Sequence, residues 1–162
     1  MAMHDRNPGN VGVVPVETLQ SMSGLAFLQA WRDGRLPAPP MGAALRFSLA
    51  EVEPGRAVFA GEPDARFFNP IGTVHGGEAA TLLDSCMGRA VHSRLEPGRS
   101  HTTAEIKVQY VRPLTDRTGR VTAEGVVLHF GRRMATAEGH LRDAEGKRLA
   151  HGTTTCMVFG EP

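Results

Sequence analysis

The stretch that decides the fold is Asn69-Pro-Ile-Gly72-Thr-Val-His75-Gly76-Gly77-Glu-Ala-Ala-Thr-Leu-Leu-Asp84. A histidine and a glycine pair stand where a helical pattern begins, and the first N–H groups of a helix have no partner inside it. The helix dipole adds positive potential there, and glycine lets a substrate approach the backbone. The pattern therefore suits an oxyanion or a polarised carbonyl. The alternative is that Gly76 and Gly77 only permit a tight turn into the helix.

The helix that follows is predicted from Gly76 to about Arg94. Its apolar stripe comprises Ala79, Leu82, Leu83, Cys86 and Ala90, and its polar stripe comprises Glu78, Ser85, Arg89 and His92. Asp84 lies in mid-helix among small or apolar neighbours, where a carboxylate is costly unless it is hydrogen-bonded or functional. Asp84 is therefore either a structural residue bonded to a loop or to a second subunit, or a catalytic carboxylate.

The spacing of Gly76 and Asp84 has a consequence for the site. Eight residues of helix separate their backbones by about 12 Å. A carbonyl held at the Gly76 N–H is therefore out of easy reach of a water activated by Asp84 of the same chain. If both groups act on one carbonyl, antiparallel helices from two chains must lie side by side, which predicts an active site shared across a dimer.

The rest of the chain predicts an α+β domain. Residues 1–15 are expected to form a flexible leader and residues 16–162 a single domain. Val16–Arg32 is predicted to form an amphipathic helix in which Gly24 is a weak point. Six strands are predicted at Ala44–Val52, Arg56–Gly61, Thr102–Arg112, Gly119–Phe130, Arg132–Arg142 and Lys147–Phe159. Short turns join most of them, which favours an antiparallel sheet over alternating βαβ units. One helix covers one face of such a sheet, so the other face and the edges predict a homo-oligomer.

The composition excludes several classes of protein. The 162 residues fit one domain, and 18 Lys+Arg against 17 Asp+Glu argue against a nucleic-acid partner bound through a large basic surface. Hydrophobic residues make up 41% of the chain, which is more than a fully disordered chain would have. The sequence contains no run of about 18 apolar residues, so no membrane-spanning helix is predicted. Met1–Val14 lacks the pattern of a secretory signal. Cys86 and Cys156 form no CxxC motif, so a reduced, cytoplasmic setting is expected.

The segment Asn69–Gly77, with an acid nine residues after His75, resembles the hotdog-fold acyl-CoA thioesterases, most closely the phenylacetate-degradation (PaaI-like) type. Thr103–Pro113 and Gly131–Glu138 fit as well, so the resemblance extends from about Leu25 to Phe159. It implies a curved six-stranded antiparallel sheet wrapped around a central helix, with an additional N-terminal helix. It also implies hydrolysis of acyl-CoA to a free acid and CoA by a dimer, or a tetramer of two dimers, without a metal or redox cofactor.

The resemblance implies a role for each residue of the motif. The Gly76 N–H and the Asn69 side chain would polarise the thioester oxygen. Asp84 would activate a water as general base, or attack the carbonyl itself. A hydroxyl on the strand after the helix, best matched by Thr103, would place that water. His75 would support the loop or lie near the leaving sulfur.

The position of the hydroxyl is open between two neighbours. Regular strand alternation puts Thr102 on the apolar face with Ala104 and Ile106, whereas the resemblance favours Thr103. The residues expected to border the substrate are Gly77, Thr102, Arg132 and Arg133. The two arginines follow the turn at Gly131, where they either lie in solvent or contact coenzyme A phosphates.

Other reactive residues favour ordinary structural roles. The seven histidines show no HxH or HxxxH spacing, so no metal site is predicted. Cys86 lies on the apolar stripe and is interpreted as a core residue. Glu78 is interpreted as a first-turn acid that complements the helix dipole.

Two other functions fit the same fold. A non-catalytic acyl-CoA-binding or sensing protein would keep the glycine-rich helix start without needing Asp84. A hotdog enoyl-CoA hydratase or dehydratase would recruit His75 and Asp84 as an acid–base pair.

Overall fold

The computed structural model describes residues 10–160. Three short helices come first, followed by a hairpin, a long helix and four strands. The elements are α1 (Val16–Ser21), α2 (Gly24–Arg32), α3 (Pro40–Ala44), β1 (Phe47–Glu53), β2 (Arg56–Gly61), a 3-10 turn (Ala65–Phe67), α4 (Gly76–His92), β3 (Ser100–Tyr110), β4 (Val121–Phe130), β5 (Met134–Asp143) and β6 (Arg148–Phe159).

The strands form one six-stranded antiparallel sheet in the order β1-β2-β4-β5-β6-β3. Helix α4 packs across this sheet and contacts all six strands. Gly125 of β4 allows that packing, because a Cβ there would lie 2.4 Å from the carbonyl carbon and oxygen of Cys86. The α+β architecture predicted from the sequence, a central helix against a six-stranded antiparallel sheet, is confirmed.

The core lies between α4 and the sheet. The whole predicted apolar stripe of α4 is buried, with Met87 and Val91 beside it. The predicted polar stripe is partly wrong, since Glu78 and His92 are both buried with 5% of their surface exposed. Their burial comes from segments outside the helix, which its own periodicity does not report.

The predicted single helix Val16–Arg32 is wrong, because the chain breaks at Met22 and restarts at Gly24. The Ser23 hydroxyl caps the second helix by accepting a hydrogen bond from the Ala26 N–H at 3.3 Å. A Cβ at Gly24 would lie 1.7 Å from the carbonyl oxygen of His92, so glycine lets α2 dock on the end of α4. The additional N-terminal helix is therefore two helices.

The start of the first strand also differs from the prediction. Residues 40–44 form α3, with Pro40 at its first position, where a missing N–H costs nothing. Strand β1 therefore begins at Phe47 instead of Ala44. The other strand ends, and the end of α4 at His92, fall within about two residues of the predictions.

The predicted leader is described only in part, since residues 1–9 lie outside the described residues. Residues 10–12 run beside residue 38. The Gly12 N–H donates to the Ala38 carbonyl at 3.0 Å, and the Ala38 N–H donates to the Asn10 carbonyl at 2.8 Å. This part of the leader is therefore attached to the domain by backbone hydrogen bonds.

Candidate active site

Asp84 and Thr103 meet at the contact between α4 and β3. The Thr103 hydroxyl donates a hydrogen bond of 2.9 Å to Asp84 Oδ1, and both side chains are half-buried. Asp84 Oδ2 has no donor among residues 10–160. One carboxylate oxygen is therefore anchored, while the other is left to bind a water or a substrate.

A β-bulge explains why the hydroxyl at this point belongs to Thr103 and not to Thr102. Thr103 pairs with Cys156, but Glu105 already pairs with Thr155, so Ala104 is an extra residue in β3. The bulge shifts the alternation by one position. Ile106 then shares the inward face with Thr103, where regular alternation groups Ile106 with Thr102.

A cavity of about 220 Å³ lies beside Asp84. It is lined by Ser85, Gly88, Arg89, His101, Thr102 and Thr103 in addition to Asp84. Burial lowers the pKa of the Arg89 guanidinium, and the Asp84 carboxylate acts in the opposite direction. The cavity thus offers a carboxylate, a hydroxyl and a nearby cation, which suit the activation of a bound water.

His75 caps the start of α4. Its Nδ1 accepts a hydrogen bond of 2.9 Å from the Gly77 N–H, and its carbonyl accepts one of 3.0 Å from the Glu78 N–H. A neutral His75 ring therefore carries its proton on Nε2, and the ring is exposed. Because the Gly77 N–H is already used, the first-turn N–H left without an acceptor among residues 10–160 is that of Gly76.

Tyr110 lies directly over this end of the helix. Its hydroxyl donates to the Gly76 carbonyl at 3.0 Å, and a Cβ at residue 76 would lie 3.0 Å from the Tyr110 ring. Glycine at this position therefore makes room for the tyrosine as well as for a substrate. The sequence pattern of β3 does not predict this contact, which depends on the bulge upstream.

Asn69 organises the loop before α4. Its Oδ1 accepts hydrogen bonds from the Ile71 and Thr73 N–H groups at 3.1 and 3.2 Å, and its Nδ2 donates to Thr73 Oγ1 at 2.8 Å. An amide nitrogen carries two hydrogens, so one donor remains for a thioester oxygen.

Arg132 and Arg133 are exposed in the β4–β5 connection. The next residue, Met134, pairs with Met157, which in turn pairs with Thr102. Two strand spacings, about 10 Å, therefore separate this connection from the start of β3 near the Asp84 cavity. The Arg132 carbonyl also accepts a hydrogen bond from the Arg99 side chain, which brings a third cation to this edge.

The burial of Glu78 is not predicted by the sequence, which indicates an exposed acid in the first turn of α4. Its side chain is buried, and its Oε2 has no hydrogen-bond partner among the described residues. Burial, with a smaller contribution from Asp64, raises the pKa of Glu78 to about 7. No local pattern signals this burial, because first-turn acids are ordinarily exposed.

The cysteine interpretation agrees with the structure. Cys86 is fully buried on α4, and burial strongly raises the pKa of its thiol. A protonated, inaccessible thiol is a poor nucleophile, so Cys86 behaves as a core residue.

Comparison with known proteins gives the family. The model of the Thioesterase superfamily matches residues 71–150. The proofreading thioesterase EntH of Klebsiella pneumoniae is 32% identical over 97 residues, which cover 60% of this chain and 69% of that protein. The chain belongs to the thioesterase superfamily. Its membership supports thioester hydrolysis as the general activity.

Solved structures of this superfamily share the fold. The phenylacetic acid degradation-related protein of Ralstonia eutropha JMP134 superposes with a TM-score of 0.74 at 26% identity, covering 81% of this chain and 98% of that one. A mutant of the phenylacetic acid degradation protein PaaI of Thermus thermophilus gives a TM-score of 0.66 at 34% identity, covering 73% and 97%. The hotdog fold and the resemblance to the phenylacetate-degradation type are therefore confirmed. Within residues 10–160, no helix is long and apolar enough to cross a membrane.

Proposed function

We propose that this protein hydrolyses acyl-CoA thioesters to a free carboxylic acid and CoA. The observation that carries the proposal is the Thr103–Asp84 hydrogen bond, which holds one carboxylate oxygen and leaves the other open to a cavity. Asp84 Oδ2 takes a proton from a water, whose oxygen bonds to the thioester carbonyl carbon. The Gly76 N–H stabilises the resulting oxyanion, the C–S bond breaks, and the sulfur of CoA takes up a proton. Direct attack by Asp84 on the carbonyl is the alternative first step.

We propose that each site is completed by a second copy of the chain. Gly76 and Asp84 lie eight residues apart on α4, about 12 Å along its axis. Strand β3 is an edge of the sheet and exposes Ile106 and Tyr110, as an edge that pairs with another strand would. Antiparallel pairing of two β3 strands near Ile106 brings the Thr103 end of one copy beside the Tyr110 end of the other. Since Tyr110 contacts Gly76, this pairing supports a site with Asp84 from one copy and Gly76 from the other.

We propose further that Arg132 and Arg133 contact the phosphates of coenzyme A, because they are exposed near the start of β3. A cytoplasmic setting stays a prediction, as does a homo-oligomer that is either a dimer or a tetramer of two dimers.

The mechanism is tested by Asp84→Asn. The substitution keeps the size and a partner for Thr103 but removes the base, so kcat should fall by about 10²- to 10⁴-fold. Asp116→Asn, at an exposed loop acid, is the matched control and should retain activity. A folded Asp84→Asn protein that hydrolyses a panel of acyl-CoAs at the parental rate contradicts the mechanism. Tight binding of acyl-CoA by the parent without turnover would indicate a binding protein, and addition of water to 2-enoyl-CoA a hydratase.

The shared site is tested by mixing two inactive variants. Gly76→Pro removes the N–H at the first helical position, where proline is tolerated, and the exposed Tyr110 can move to admit the ring. Co-expressed with Asp84→Asn under a second tag, it forms mixed oligomers with one site that has both groups intact. Recovery of activity in the mixed oligomer supports the shared site, and failure to recover any activity places both groups in one chain.

A further inference from the structure

A second cavity, of about 250 Å³, adjoins the Asp84 cavity. Arg89 and His101 line both cavities. The remaining walls are mainly apolar and come from the N-terminal part of the chain, with Leu19, Phe27, Trp31 and Pro39 among them. The two cavities together reach the lower range of volumes of small-molecule sites, about 300–1,000 Å³.

Arg89 is the charged group of this second cavity, and no Asp or Glu lines the cavity. Its Cζ lies 5.9 Å from the centre of the Trp31 ring. The guanidinium makes no hydrogen bond or ion pair with the described residues. A partly desolvated arginine with open N–H donors is costly unless a ligand supplies the acceptor.

The two histidines beside Arg89 do not add charge to the cavity. The His92 ring lies 5.4 Å from the Phe27 ring and 5.4 Å from the His101 ring. Burial, followed by Arg89, lowers the pKa of His92 to about 3 and that of His101 to about 4. Both rings are therefore neutral near pH 7, and Arg89 supplies the positive charge alone among the residues that line the cavity.

We propose that this second cavity holds the distal end of the acyl group and that Arg89 binds a carboxylate carried there, so that the preferred substrates are ω-carboxyacyl-CoA thioesters. The inference rests on the proposed function. Asp84 and Arg89 are five residues apart on α4, about 7.5 Å along its axis, which a medium-length acyl chain spans. The apolar walls accept the methylene groups, and the guanidinium binds the terminal carboxylate in a forked geometry. Coenzyme A phosphates are the other source of an anion, but their bulky, polar surroundings fit an apolar cavity poorly.

The test compares adipyl-CoA with hexanoyl-CoA, which differ in the terminal carboxylate. The parental protein should show the higher kcat/KM for adipyl-CoA. In Arg89→Leu and Arg89→Gln, the ratio of the two values should fall by roughly ten- to a hundredfold, the contribution of a charge-assisted hydrogen bond. Arg94→Leu is the matched control, because Arg94 lies in the turn directly after α4 and its Cζ is 5.5 Å from the centre of the Phe130 ring, but it lines neither cavity.

Each outcome separates the inference from the proposed function. Absence of turnover on every acyl-CoA overturns the proposed function. Hydrolysis of hexanoyl-CoA at least as efficient as that of adipyl-CoA by the parent overturns the carboxylate site alone, even if the Arg89 variants fail to fold. An equal loss on both substrates in the variants, with weaker inhibition by free CoA, would assign Arg89 to a CoA phosphate and also overturn the inference.

Discussion

We predict that the free energy of unfolding depends on the ionisation of the buried Glu78, and this prediction does not depend on any substrate. In the unfolded chain its carboxyl releases a proton near pH 4.5, whereas in the folded protein the pKa is raised to about 7. Between these values the native state binds more protons than the unfolded state, so the free energy of unfolding falls as the pH rises. The contribution of the protonated Glu78 to the stability is fully present below about pH 4.5 and is lost as the pH rises through about 7.

The magnitude follows from the difference between the two pKa values. At 1.36 kcal/mol per pH unit, ionisation of Glu78 costs at most about 3 kcal/mol. The dipole of α4 favours the ionised carboxylate, and water that reaches the side chain would also reduce the cost of ionisation. We therefore expect ionisation of Glu78 to lower the free energy of unfolding by about 1–3 kcal/mol. Glu78→Gln cannot ionise and keeps the side chain's size. The variant should therefore be more stable than the parent by this amount at pH 8.5, with the advantage shrinking towards pH 5.

The assay is urea unfolding at fixed protein concentration, followed by the fluorescence of the single tryptophan, Trp31, and by circular dichroism at pH 5, 7 and 8.5. Glu17→Gln is the matched control, since Glu17 is an exposed acid in the first turn of α1. A stability difference between Glu78→Gln and the parent that is the same at pH 5 and pH 8.5 would refute the reasoning.

Two further predictions concern the site and the core. Thr103→Val removes the hydrogen bond to Asp84 and should lower kcat about tenfold, with recovery in Thr103→Ser and a smaller loss in Thr102→Val; equal losses at both threonines, measured with acyl-CoA, would contradict the assignment. Gly125→Ala puts a Cβ 2.4 Å from the Cys86 backbone and should reduce the free energy of unfolding by about 2–4 kcal/mol. Gly12→Ala meets only ordinary contacts at 3.7 Å and should have little effect in the same urea titration, so similar losses would argue against the close packing of α4 on β4.

The long helix and the strands could be predicted because their periodicities are strong and local. The apolar stripe of α4 recurs at helical spacing, and each strand after it alternates between short turns. The helix Val16–Arg32 failed as a single element because Ser23 is a good cap, a choice that the mixed apolar spacing does not reveal. Glu78 and His92 were misplaced on the polar stripe because distant segments bury them.

The bulge at Ala104 decides which threonine contacts Asp84, and the sequence pattern does not predict it. Thr102 and Thr103 are equal candidates by residue type, and alternation favours the wrong one of the two for contact with Asp84. One extra residue in β3 reverses the parity, so that Thr103 reaches Asp84 while Tyr110 reaches Gly76. The motif thus predicts which groups take part, whereas the register of the neighbouring strand decides which of them meet.

The residues of the two cavities come from different parts of the chain, and only one of these parts matches the superfamily model. Asp84, Thr103 and Gly76 lie within residues 71–150, which match the superfamily. The apolar wall opposite Arg89 comes from residues 12–40, which precede that match. Gly24 makes this wall possible by bringing α2 against the His92 carbonyl, and Trp31 then lies beside Arg89. The proposed reaction therefore rests on residues inside the part of the chain that matches the superfamily, and the proposed choice of acyl group rests largely on residues that precede it.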